Sequence, residues 1–278
     1  MIQKQHGLSN LTGVVASLVN ARHLPALVLL LAMVPLNWAL ESWKWKLLAQ
    51  KAVPITFREA FRTTLTGLAV GVAIPAQLGD TLGRVTSLKS EHRLKTLGAA
   101  LVSNGIQFYV SVLGGALSWF VVSPSLPIPS ALWWTITCLL PTLLLLGIVA
   151  GLFRNRLPTL NSKRQWVQNL RENLAVIGRY SHRELLLALF WGFARYLVFV
   201  AQFALALSLF DLAIPASSLL ACVGLILLTK TLVPVINAIG DLGVREFTAL
   251  YVFSPFHLPA EHVVAATFFI WLINSMEN

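Results

Sequence analysis

The chain has 278 residues, 56% hydrophobic and only 12% charged, with a mean hydropathy of +0.73. Soluble domains carry about 25% charged residues, so this composition excludes an ordinary soluble fold and leaves no room for a large aqueous domain. The formal net charge of +10 does not point to nucleic acid, because the basic residues stand in short loops beside apolar runs and form no aromatic-interleaved basic module.

Leu8, Leu11, Val15 and Leu18 recur at helical spacing between polar residues, which predicts a helix lying in the membrane interface at 8–20. Leu24 to Leu48 predicts the first spanning helix, since an apolar run of about 20 residues crosses a hydrocarbon core. It ends in "ESWKWKLL", where Trp43 and Trp45 suit the headgroup belt and Lys44, Lys46 and Lys51 mark the cytoplasmic end. Glu41 is expected as a boundary residue that snorkels or pairs with a nearby Lys.

Phe61 to Ile74 is apolar but too short for a simple span, and "PAQLGDTLGR" (Pro75 to Arg84) interrupts it before a second basic flank. A segment with basic residues on both sides begins and ends on one face of the membrane, which predicts a re-entrant hairpin. Thr96 to Val122 then spans outward, the loop "SPSLPIPS" has no Lys or Arg, and Leu132 to Phe153 returns.

Arg154 to Arg183 carries seven basic residues, and Trp166, Leu170, Leu174 and Ile177 give it a weak amphipathic stripe, which predicts a cytoplasmic linker helix on the membrane surface. Leu185 to Phe210 spans outward. Ser217 to Leu232 enters from the outer side, breaks at Pro234, and resumes as "FTALYVF" before another loop without Lys or Arg. This second hairpin is expected to dip in from outside, opposite to the first. Val263 to Ile273 would bring the C-terminus inside.

Side by side, the two tips read "IPAQLGDTLGRVTSL" and "VPVINAIGDLGVREFTAL", each with an apolar residue, Pro, Gly-Asp, then Gly and Arg. The Pro-to-Gly spacing differs, so the repeat is weak, but opposed interrupted segments in two halves point to an inverted-repeat transporter. The expected fold is an all-α integral membrane protein with about five to six spanning helices plus two oppositely oriented re-entrant hairpins. It forms a single polytopic domain: a first half-repeat at about 24–122, the basic linker 154–183, and a second half-repeat at about 184–277.

Broken helices expose backbone polar groups that ligand, water or side chains must satisfy in a dry bilayer. Arg84 and Arg245 are the leading candidates to hold an anionic lipid headgroup between the tips, because the guanidinium fork pairs bidentately with phosphate. Asp80 and Asp241 would orient or neutralise them, with Glu246 and Asn237 nearby; Pro75, Gly79, Pro234, Gly240 and Gly243 make the breaks. The competing account is that Asp80–Arg84 and Asp241–Arg245, each at i,i+4, are internal salt bridges that hold the tips, and the two roles can coexist. Lys230, Asn104 and Gln107 are secondary candidates; amides inside spans more often bridge helices than touch substrate.

Cys138 and Cys222 both lie in apolar runs, and the histidines lack metal spacing, so neither a disulfide framework, a metal site nor a cofactor is expected. The Gly-Asp pairs resemble only poorly the GxGD motif of intramembrane aspartyl proteases, since the first glycine is missing and no Tyr precedes an Asp. No other catalytic motif appears, and an enzyme is not expected.

In order along the chain, "SWKWKLL" (Ser42 to Leu48), "ITFREAFRTT" (Ile55 to Thr64), "IPAQLGDTLGR" (Ile74 to Arg84) and "VPVINAIGDLGVREF" (Val233 to Phe247) resemble the flippase-like membrane region of lysylphosphatidylglycerol synthases and its stand-alone relatives. The resemblance covers nearly the whole chain, and the last motif is the most specific. It implies a bacterial inner-membrane protein that moves anionic phospholipid, aminoacyl-lipid, or glycolipid and polyprenyl-linked substrates between leaflets, with loops 44–58, 84–95 and 154–183 cytoplasmic. By position, Pro75, Gly79 and Arg84 match the first tip motif and Gly243, Arg245 and Glu246 the second.

Three departures stand out. Asp80 is a shorter arm than expected after the first tip glycine, and Ser103-Asn104 and Gln107 replace a Glu-Arg pair, which implies that a charge network of relatives is missing. The resemblance also implies a helix ahead of residue 8, so either the N-terminus lies outside or the chain is incomplete. The soluble aminoacyl-transfer domain is absent from these residues, so lipid aminoacylation is not expected of this chain alone. The leading expectation is therefore a lipid translocator, with membrane lipids as partners and a homo-oligomer as one assembly. The rival is a non-transporting protein that presents lipid to a separate lipid- or glycan-modifying enzyme, docking through the basic linker.

Overall fold

The computed structural model describes residues 23–73, 78–90, 93–159, 168, 172–210, 214–233 and 238–275. These form α1 (Leu24–Ala49), α2 (Phe57–Ala73), α3 (Leu78–Thr86), α4 (Leu97–Val122), α5 (Ser130–Leu152), α6 (His182–Ser208), α7 (Ala216–Leu232), α8 (Ala238–Phe253) and α9 (Ala260–Ser275), with short 3-10 turns and no strand among the described residues. Four stretches are long and apolar enough to cross a membrane: Leu24–Ala49, Arg93–Ser125, Ser130–Leu152 and His182–Ser208; α7 and α9 are shorter apolar helices. The chain is a multi-pass helical membrane protein.

Local chemistry sets the boundaries. After α1, Pro54 removes a backbone donor and disfavours helix at the residue before it. Thr56 and Glu59 then start α2 as a reciprocal cap: the Thr56 N–H donates to Glu59 Oε2 at 2.8 Å, and the Glu59 N–H donates to Thr56 Oγ1 at 3.3 Å. Glu59 is held below the usual carboxylate range, chiefly by that backbone N–H and then by the Thr56 hydroxyl. Ser181 and Glu184 repeat the device at α6, with bonds of 2.9 and 3.2 Å.

The chain divides into two compact units, Met1–Leu36 with Gly114–Thr137 and Leu197–Glu277, and Asn37–Leu113 with Cys138–Tyr196 and Asn278. The second contains the α2/α3 pair, the first the α7/α8 pair. In the unit that holds α2 and α3, a core forms around Trp45, Leu48, Ala60, Val85, Ala99, Val176 and Tyr180.

The linker differs from the single surface helix predicted for 154–183. Its described parts include 3-10 turns at Arg154–Thr159 and Ala175–Arg179, with Val176 and Tyr180 buried. The Tyr180 hydroxyl donates to the Leu48 carbonyl at 2.8 Å, and burial pushes that hydroxyl well above its ordinary pKa, so it stays a donor. Such anchors draw the stretch around Val176 and Tyr180 into the core. Trp166 and Leu170, like the interfacial helix predicted at 8–20, lie outside the described residues.

Candidate functional site

The site grows from the way α2 and α3 meet. Gly67 and Gly71 on α2 face Gly79 and Gly83 on α3, two small-xxx-small pairs in antiparallel register. A Cβ at Gly79 would stand 2.5 Å from the Val70 carbonyl oxygen, and one at Gly83 would stand 2.7 Å from Gly67 Cα. A Cβ at Gly67 would meet Arg84 Cγ at 2.7 Å and Asp80 Oδ1 at 2.8 Å. Glycine there makes room both for backbone contact and for the Asp80–Arg84 pair.

Arg84 is 2% exposed, and its Nε donates to Asp80 Oδ1 at 2.8 Å, the i,i+4 salt bridge expected from the sequence. Its Nη1 donates to Glu41 Oε1, also at 2.8 Å. The guanidinium lies over the fully buried Trp45 ring at 5.6 Å, and the Trp45 indole N–H donates to Thr63 Oγ1 at 2.9 Å.

Glu41 is the hub. Its Oε2 accepts from Lys44 Nζ at 2.8 Å and from Arg195 Nη1 at 2.7 Å, while the Ser103 hydroxyl lies 3.3 Å from Oε1. Arg195 Nε donates to Asn37 Oδ1 at 2.8 Å, and Lys44 Nζ to Gln107 Oε1 at 3.3 Å. Two guanidiniums and an ammonium thus share one carboxylate that is 1% exposed, inside a helix that otherwise reads as a membrane span. A buried ion is tolerated only when paired and hydrogen-bonded throughout, which this carboxylate is. Asp80 and Arg195, at 15% and 12%, form its more accessible edge.

The expectation of Glu41 as a plain boundary residue is corrected, while its pairing with a nearby Lys is found in Lys44. Its carboxylate is the shared acceptor of three cations because Asn37, Glu41 and Lys44 fall on one face of α1, four and then three residues apart. Ser103 and Gln107, which stand in place of a Glu-Arg pair, are hydrogen-bonding members of the network around Glu41. Asn104 takes the bridging role expected of a span amide, donating to Thr81 Oγ1 at 3.0 Å.

Arg195 escaped the sequence reading altogether. The signal was there, since a lone arginine inside "FWGFARYLVF" is costly in a bilayer and marks a function by default. Lys44 reads in the sequence as a topology marker, yet its side chain is 1% exposed.

In the other unit, Arg245 on α8 is 3% exposed and Glu246 is partly buried. Gly240 and Asp241 fall in the first turn of α8, and Lys230 in the last turn of α7 is partly exposed. A Cβ at Gly243 would meet nothing within 4 Å. The Asp241 side chain, and Pro75, Pro234 and Asn237 entirely, lie outside the described residues.

No group of three or more potential metal ligands occurs among the described residues. Comparison with known proteins gives one informative result: the family model described as the lysylphosphatidylglycerol synthase TM region matches residues 6–275. No curated protein and no solved structure matches significantly. A helical membrane fold and a family match over nearly every residue lead to the same conclusion: the chain belongs to the lysylphosphatidylglycerol synthase TM region family, whose members are linked to lipid handling.

Proposed function

We propose that the protein moves a lipid with an anionic headgroup between membrane leaflets, and that the Glu41 cluster is where the headgroup is held. The observation that carries this reading is one buried carboxylate shared by Arg84, Lys44 and Arg195, with Asp80 and Arg195 at the accessible edge. A phosphate offers a guanidinium the same bidentate geometry as a carboxylate. An arriving headgroup can therefore take over a hydrogen bond that Arg195 or Arg84 gives to a carboxylate, with little net desolvation. The lipid tails remain in the bilayer, and the carboxylates re-close the cluster when the headgroup leaves.

On this reading α2/α3 and α7/α8 are re-entrant hairpins of opposite orientation, and Arg245 serves in its own unit as Arg84 does in the other. The basic loops face the cytoplasm of a bacterial cell, as the bias of Lys and Arg toward that side suggests. The match to a lipid-linked family supports the substrate class.

The test is leaflet exchange in liposomes containing the purified full chain, with labelled anionic, zwitterionic and polyprenyl-phosphate lipids. Exchange of a phosphate-bearing anionic class above that of empty liposomes, lost in Arg84→Gln and Arg245→Gln, is the expected outcome. A folded preparation that moves none of them overturns translocation and favours a protein that presents lipid to an enzyme.

A further inference from the structure

In the unit that holds α2 and α3, helices α4, α5 and α6 line an apolar cavity of about 700 Å³, with Ile106, Tyr109, Leu146 and Leu186 on its walls and Arg154, Tyr180 and His182 at one end. That volume falls within the ~300–1,000 Å³ usual for ligand pockets, which combine apolar walls with a few polar groups. The ion pairs that Glu41 makes with Lys44, Arg84 and Arg195 involve none of these residues.

Two features show that the cavity is kept open and kept charged. Gly105 and Gly151 both line it, and a Cβ at either would meet nothing within 4 Å. Glycine weakens a helix relative to alanine, and here no close approach of another element requires it. Its consequence at both places is open volume.

Arg154 is 6% exposed, and its Nε donates to the Tyr180 carbonyl and its Nη1 to the Gly151 carbonyl, both at 2.7 Å, with His182 Nδ1 at 3.4 Å. Among the described residues no carboxylate lies within ion-pair distance of it; Glu184, close in sequence, pairs with Lys51 at 2.8 Å. A buried guanidinium with no counter-ion is costly, and an anionic ligand would supply one. Exposed Arg156, Arg179 and Arg183 flank the same stretch and would draw anionic lipid toward it.

We infer that this is a phospholipid site, separate from the Glu41 cluster, which binds an anionic phospholipid with its phosphate on Arg154 and one acyl chain in the cavity. The site stands whether or not the protein translocates lipid. A free phosphate would leave the apolar volume unused, and a zwitterionic lipid would gain less from the uncompensated arginine.

The experiment places the full chain in phosphatidylcholine nanodiscs with trace long-chain phosphatidylglycerol bearing a photoreactive acyl chain, and maps the adducts. A phosphatidylcholine analogue with the same chain is run alongside. Labelling of the peptides carrying Tyr109, Leu146 and Leu186 is expected to be about tenfold higher with the phosphatidylglycerol probe, one charge-assisted contact being worth roughly that factor. Arg154→Gln should bring it to the phosphatidylcholine level.

Because Arg154 also ties α5 to the turn before α6, Gly105→Leu and Gly151→Leu provide an independent arm. Their side chains grow into open space, and labelling by either probe should fall while the protein stays monodisperse. Equal labelling by the two probes in the unsubstituted protein overturns the proposal. So does labelling by the phosphatidylglycerol probe that survives in both glycine variants.

Discussion

The two helical hairpins carry similar motifs but use glycine differently. In α2/α3, Gly67, Gly79 and Gly83 let backbone meet backbone, and added Cβ atoms would collide within 3 Å; at Gly243 on α8 an added Cβ meets open space. In the first hairpin this close approach goes with the ties of Arg84 to Asp80 and, through Glu41, to α1. A shared Gly-Asp…Gly-Arg pattern therefore does not imply a shared packing solution. The same residue serves close approach in one place and leaves room in the other.

The sharpest way to break the first hairpin's side of this comparison is to remove its tie to α1. Glu41→Gln leaves Arg84, Lys44 and Arg195 without the carboxylate they share, and losing one partner of a buried ion pair typically costs about 3–5 kcal/mol. A large drop in midpoint should appear in thermal or denaturant unfolding in detergent.

Next come the glycines themselves. Gly79→Ala and Gly83→Ala push one backbone against another and should cost roughly 1–3 kcal/mol, as overpacking does. Gly243→Ala should be neutral or stabilise by up to about 1 kcal/mol, because alanine is the better helix former and nothing stands in its way. Equal losses at all three positions in the same unfolding assay would erase the distinction between the hairpins.

The smallest effect concerns the entry to α2. Thr56→Ala removes the hydroxyl that caps the helix and should cost about 0.5–2 kcal/mol. Glu59, outside the four candidate spans, has a folded-state pKa below the ordinary value of 4.5. Its contribution is therefore fully present above about 4.5 and is lost as pH falls through the lower folded value. Thr56→Ala should flatten that acid limb in a pH series of unfolding midpoints.

Much of the helical architecture was legible, because runs such as Leu24–Ala49 and Ser130–Leu152 are apolar for longer than a soluble helix needs. The Asp80–Arg84 bridge was legible too, since i,i+4 spacing alone brings such side chains together. The hub was not. Glu41 lies beside "WKWK", where a charge looks like a boundary marker, and its partners come from positions 84 and 195, far off in sequence. Only tertiary packing joins them.

Other features were written in the sequence and passed over. The four-residue glycine spacing at Gly67/Gly71 and Gly79/Gly83 is a close-packing pattern, and "TFRE" and "SHRE" are capping boxes. At its described ends the linker departs from one continuous helix, because Val176 and Tyr180 serve as anchors in the core where a helical stripe alone suggests a surface position.

The central claim is that an anionic headgroup is held at the Glu41 cluster during transfer, and Arg195, at its accessible edge, tests it most directly. The measurement is the rate of leaflet exchange of phosphatidylglycerol and phosphatidylcholine by the unsubstituted protein and by Arg195→Gln, each shown to be folded. The account predicts faster exchange of phosphatidylglycerol and a loss of about tenfold or more in the variant, the worth of one charge-assisted contact. A folded Arg195→Gln protein that exchanges phosphatidylglycerol at the unsubstituted rate would contradict it.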